Sequence, residues 1–148
     1  MYDRLGIGRL RALARQFPAL LILGARQVGK TTLARTAFDK APYVDLEEPR
    51  NRALFSADPA HQLQTLVESN AGPLILDEAQ SVPQLFGALR GLIDARRAVK
   101  SRAGKGQYVL LGSAQPALIK QVSESLAGRV GLLELDPLTA LEAASGAP

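Results

Sequence analysis

The sequence predicts a three-layer α/β sandwich built on a parallel sheet. Three observations carry that prediction. Short apolar runs near residues 19, 43, 74, 107 and 130 alternate with longer amphipathic stretches. The runs are apolar throughout, as strands covered on both faces require. Right-handed crossovers then place helices on both sides of the sheet.

The elements follow in order along the chain. Residues 3–16 read as a helix, with Leu5, Leu10, Leu13 and Ala14 facing a core and Pro18 ending it. Ala19–Leu23 is a buried strand that ends at Gly24. A helix starts near Gly29 and runs to about Phe38, and Tyr43–Leu46 is a short strand. Pro49 and Pro59 suit first helical turns, with Glu48 and Asp58 before them as caps, so helices are expected near 50–56 and 60–69. Gly72–Pro73 marks a turn, and Leu74–Leu76 is a strand that runs into Asp77. Ser81 followed by Gln84 reads as a capping box. The helix after it carries Leu85, Phe86, Leu89, Leu92 and Ile93 on one face. Gln107–Leu111 is a strand, about 117–126 a short helix, and Val130–Leu135 the last strand. One domain is expected over 1–142, with a fraying tail at 143–148.

Composition narrows the function classes. The 148 residues fit one domain with a real core. There is no cysteine, which excludes disulfides and thiolate metal sites. No apolar run approaches the roughly 20 residues that cross a bilayer, and no secretory leader is visible, so a cytoplasmic location is expected. The net charge of +4 is mildly basic, and nucleic acid is a weakly supported partner. The run Arg96, Arg97, Lys100, Arg102 and Lys105 lacks interleaved aromatics and reads as a solvated surface in a loop. The single histidine, His61, reads as structural or exposed.

Residues 24–31 read GARQVGKT and satisfy G-x-x-x-x-G-K-[ST], the Walker A pattern. A chance match arises roughly once in two hundred chains of this length, and here a strand precedes it and a helix follows, as the motif requires. Gly24 and Gly29 let the backbone approach phosphates without a side chain in the way. Ala25, Arg26, Gln27 and Val28 bring backbone N–H groups into an anion nest, at the positive end of the helix dipole. Lys30, expected to stand exposed at the loop, places an ammonium between the outer phosphates. Thr31 is a magnesium ligand through its hydroxyl, and Thr32 reaches the innermost phosphate. The cofactor set read from this loop is ATP with Mg2+.

Residues 74–78 read LILDE, a strand that delivers two carboxylates to its carboxyl end, as a Walker B element does. Asp77 is expected to hold magnesium through a water, and Glu78 to polarise the attacking water. ATP is preferred over GTP because no N-K-x-D or T-K-x-D element occurs. Asp45, Glu47 and Glu48 close the second strand, where the charges of a first helical turn explain Glu47 and Glu48.

LILGARQVGKTTLAR, YVDLEEP, PLILDEAQ, LLGSAQ and SESLAGRVGLLEL, in that order, resemble the AAA-superfamily ATP-binding proteins of bacteria and archaea. The resemblance covers roughly residues 4–142. It implies a P-loop NTPase sandwich whose five strands run in the order 5-1-4-3-2. It also implies a sensor role for Ser113 and Gln115 at the end of the fourth strand, and a transition-state role for Arg129, in cis or from a neighbouring subunit. Members of that family are usually much longer, with a helical lid and a nuclease-like C-terminal domain. The chain is thus expected to be an ATPase core alone, as a fragment or a truncated relative, with an unidentified protein partner and a possible homo-oligomer. Two other readings stand beside the ATPase: a nucleotide-gated binding module without useful turnover, and a small-molecule P-loop kinase.

Overall fold

The computed structural model describes residues 4–25, 29–69, 73–99 and 105–135. Helix α1 (Arg4–Gln16) leads into strand β1 (Ala19–Leu23), and α2 (Lys30–Ala37) into β2 (Tyr43–Asp45). Helices α3 (Pro49–Ala57) and α4 (Pro59–Ser69) precede β3 (Leu74–Asp77). A 3-10 turn at Ala79–Ser81 precedes α5 (Gln84–Val99). Then come β4 (Tyr108–Gly112), α6 (Pro116–Ser125) and β5 (Val130–Glu134).

All four strand pairings are parallel, in the order β2-β3-β4-β1-β5. This is the expected 5-1-4-3-2 sheet read from its other edge. The pleat splits the core in two, because successive strand residues point to opposite faces. Leu20, Ile22, Ile75, Val109 and Leu111 face the side that carries Leu10 of α1 and Leu33 and Ala34 of α2. Leu21, Leu23, Leu74, Leu76 and Leu110 face α3 to α6, where Phe55, Leu63, Phe86, Leu89 and Leu118 close the layer. β1, β3 and β4 are buried along their whole length because helices roof both of their faces. The edge strand β5 instead exposes Leu132 and Glu134, which corrects the expectation of strands covered on both faces throughout.

Local chemistry sets the helix starts. Glu48 caps α3, accepting from the backbone N–H of Arg50 at 3.0 Å and of Asn51 at 3.2 Å. Asp58 accepts from His61 N–H at 3.1 Å and opens α4. The capping box expected at Ser81 is absent. Ser81 lies in the 3-10 turn, its N–H bonded to the Glu78 carbonyl, and α5 begins three residues later at Gln84, just after Pro83. Arg96 and Arg97 sit in the last turn of α5 rather than in a loop. Lys100, Arg102 and the tail at 143–148 lie outside the described residues. Among the described residues, no helix is long and apolar enough to cross a membrane.

Candidate active site at the carboxyl ends of β1, β3 and β4

The glycine-rich loop leaves β1 beside the end of β4, where Gly24 N–H donates to the Gly112 carbonyl at 3.2 Å. It closes at Gly29, whose φ of 93° and ψ of 16° lie in the left-handed region. A Cβ there is strained, which is why the turn takes glycine. α2 starts at the next residue, so Lys30 and Thr31 stand in its first turn. Thr32 is exposed beside them. Arg26, Gln27 and Val28 lie outside the described residues.

Among the described residues, Lys30 and Asp77 are the only buried charged side chains, 5% and 7% exposed. Burying a charge is costly unless it is compensated, and both groups are hydrogen-bonded. Lys30 Nζ donates to the carbonyls of Gly24 at 2.8 Å and Ala25 at 3.0 Å. Lys30 was expected to be exposed, and its burial corrects that reading. Two of the three donors of the ammonium are thus directed at carbonyls just after β1.

Asp77 ends β3 and collects donors from three directions. Oδ2 accepts from the Thr31 hydroxyl at 2.8 Å and from the Tyr43 hydroxyl, and Oδ1 accepts from Glu78 N–H at 2.8 Å. A carboxylate offers about four lone-pair positions. Among the described residues three are engaged, which leaves Oδ1 able to accept from a metal-bound water. Thr31 gives its one proton to Asp77 and keeps its oxygen lone pairs for a cation. The pair therefore fits a hydrated magnesium ion, which takes one or two protein ligands and completes its shell with phosphate and water. Among the described residues, no group of three or more His, Cys, Asp or Glu could hold a metal alone.

Glu78 follows in the left-handed region, at φ 55° and ψ 50°. Such a backbone is uncommon for a side chain with a Cβ, and it occurs at functional sites that the surroundings over-determine. Its Oε2 accepts from Gln80 Nε2 at 2.5 Å. Gln80 Oε1 is buried without a hydrogen-bond partner among the described residues. It lies where a Cβ on Gly112 would come within 3.0 Å, so the glycine that ends β4 gives this amide its room.

Ser113 and Gln115 follow β4, whose neighbours are β1 and β3. Ser113 is half-buried and Gln115 exposed. Gln115 is the N-cap residue of α6 without a side-chain cap bond, and its N–H bonds the Ser113 carbonyl at 2.7 Å.

Arg129 requires a correction. It precedes β5, and its carbonyl accepts from the N–H of Ala19, the first residue of β1. That is the amino end of the sheet, a strand length from Gly24, or roughly 16 Å for five residues. Its guanidinium forks onto Asp94 of α5, with Nε–Oδ1 at 2.7 Å and Nη2–Oδ2 at 2.9 Å, and Nη1 bonds the Ala127 carbonyl at 2.9 Å. The hydrogen bond from Arg129 holds the Asp94 carboxyl below its usual range, and Asp94 raises the arginine in turn. Arg129 is thus a structural ion-pair residue, because a parallel strand puts what precedes it at the end away from the loop.

Sequence reasoning passed over Tyr43 and Gln80. Tyr43 is half-buried on β2, and burial, followed by the bond to Asp77, pushes its phenol well above the ordinary tyrosine value. The signal for Tyr43 lay in register. β2 pairs with β3 with Asp45 opposite Asp77, so Tyr43 and Asp77 share a sheet face two residues apart.

A parallel 2-3-4-1-5 sheet with a lysine-bearing loop and a buried aspartate at its carboxyl end is the arrangement of a P-loop nucleotide-binding fold. The chain belongs to the AAA domain family, which matches residues 16–144. It is similar to Rv2008c of Mycobacterium tuberculosis and Mb2031c of Mycobacterium bovis, 43% identical to each over 141 residues. That stretch is 94% of this chain, which spans 30% of the length of those relatives. Its fold is similar to that of the Walker-type ATPase PABY2304 of Pyrococcus abyssi, with a TM-score of 0.59 and 18% identity over 92% of this chain and 54% of the other. It is also similar to that of the ORC2 protein of Aeropyrum pernix, solved as ADPNP–ADP complexes, with a TM-score of 0.55 and 21% identity over 91% and 48%.

Proposed function

We propose that this domain binds ATP with magnesium and hydrolyses it at the carboxyl ends of β1 and β3. The observation that carries the reading is the concentration of buried charge. Lys30 and Asp77 stand out as buried ions in a layered apolar core, and the first turn of α2 joins them by bonding Thr31 to Asp77. Lys30 exchanges its loop carbonyls for the outer phosphates. The N-terminus of α2 and the loop N–H groups take the remaining negative charge. Thr31 and Asp77 hold the magnesium ion, which neutralises charge developing on the phosphate oxygens. Glu78, one residue beyond Asp77, orients the attacking water and accepts its proton. Ser113, at the tip of the intervening strand, contacts the outer phosphate or that water, and Gln115 lines the same edge.

One observation favours the nucleotide-gated binding module as a second reading. Glu78 Oε2 is already held by Gln80, and a carboxylate kept in that bond polarises water poorly. Phosphate release by the wild type and by Glu78→Gln separates the two. Hydrolysis predicts MgATP binding within a few-fold of wild type and release slowed roughly 10²–10⁴-fold. Equal, near-background release by both proteins favours the gated module.

A further inference from the structure

We propose that Tyr43 is a positioning residue of this site: its hydroxyl aims the Asp77 carboxylate at the magnesium ion of bound MgATP. This rests on the function proposed above and adds to it a residue from the edge strand β2.

Tyr43 is gripped at two points. Its hydroxyl donates to Asp77 Oδ2, the oxygen that also accepts from Thr31. Its ring lies under Arg35, with the guanidinium carbon 4.9 Å from the ring centroid. Arg35 is one helical turn after Thr31, so both stand on the same side of α2. A single helix thus supplies the hydroxyl that shares Asp77 with Tyr43 and the cation that fixes the Tyr43 ring. With the ring held, the phenol proton points at one carboxylate oxygen.

The chemistry of the carboxylate makes that aim consequential. Asp77 would meet the metal through an intervening water, so its plane must be set before the ion arrives. Glu78 N–H holds Oδ1. On Oδ2, Thr31 would have its oxygen drawn to the metal, while Tyr43 has no other duty at the site. Partners of this outer kind change metal affinity by about 10–100-fold when removed. Tyr43→Phe keeps the ring and its stack under Arg35 and deletes only the donor. A packing role for Tyr43 would therefore survive this substitution, and a positioning role would not.

The test is calorimetric titration of ATP into the full chain, with excess magnesium and with EDTA, for wild type and Tyr43→Phe, with circular dichroism to confirm the fold. The wild type should bind more tightly with magnesium. Tyr43→Phe should lose about tenfold in the magnesium arm and stay within twofold in EDTA. An equal loss in both arms, or no loss in either, overturns the positioning role while leaving the ATP site standing. If the wild type itself gains nothing from magnesium, the metal reading on which the proposal rests has failed. Should Tyr43→Phe not fold, Arg35→Ala releases the ring instead, and it should weaken the magnesium arm alone; an unchanged arm then rejects the proposal.

Discussion

The two ends of the sheet hold comparable charged groups in opposite circumstances. At the carboxyl end, Lys30 and Asp77 are buried and bonded to backbone and hydroxyl groups. At the amino end, Arg129 and Asp94 are bonded to each other, with the aspartate side chain 44% exposed. Each charge of the exposed pair finds its partner in the other, and the solvent screens what remains. An exposed pair of this kind contributes little to stability. The buried charges are kept where ionic groups are costly, by a loop and three elements that meet there. Two charged side chains buried at the carboxyl edge of an apolar sheet are an expense the fold itself does not require.

Glu78→Gln should separate the two ends most strongly, with phosphate release slowed at least about a hundredfold and fold and binding retained. A release rate equal to wild type moves the water-polarising role to another residue. Gly29→Ala comes next. Forcing alanine into the left-handed region costs roughly 1–2 kcal/mol, to be read as a lower denaturant midpoint together with weaker ATP binding. An unchanged midpoint would mean that the loop relaxes to another conformation.

The smallest effect on nucleotide chemistry belongs to the amino end. Arg129→Ala should leave MgATP affinity and phosphate release within twofold of wild type, because its guanidinium is committed to Asp94. A large fall in release would return Arg129 to the catalytic machinery. The ion pair instead sets a pH dependence. Asp94 has its pKa lowered in the folded state, chiefly by the hydrogen bond from Arg129. Its contribution to stability is therefore complete above the ordinary aspartate range and is lost as pH falls through the lowered folded value. The stability difference between wild type and Asp94→Asn should close in acid, and a difference that persists there would contradict the pairing.

Much of this architecture was legible in the sequence because the informative patterns are local. Continuous apolar runs located all five strands, and Pro49 with Glu48 located a helix start that the structure shows capped. GARQVGKT and LILDE placed Lys30, Thr31 and Asp77 without knowledge of the sheet. The misses needed information between elements. Tyr43 acquires meaning only when β2 is laid beside β3 in register. The burial of Lys30 depends on where α2 starts relative to the end of β1, whose following carbonyls at Gly24 and Ala25 it reaches. Ser81 carried the letters of a capping box, but the left-handed Glu78 leads the chain into a 3-10 turn before α5 begins. Arg129 was assigned by likeness to a motif, although chain direction argued otherwise. A residue before a parallel strand lies at the amino end, whereas ligands of such sheets bind beyond the carboxyl ends.

The central claim is that the charge buried at the carboxyl end serves a nucleotide. Calorimetric titration of MgATP into wild type and Lys30→Met tests it most directly, because methionine keeps the buried stem and removes only the ammonium. The account predicts measurable MgATP binding by the wild type, and none by a variant that circular dichroism shows to be folded. Wild-type affinity in a folded Lys30→Met protein would contradict it.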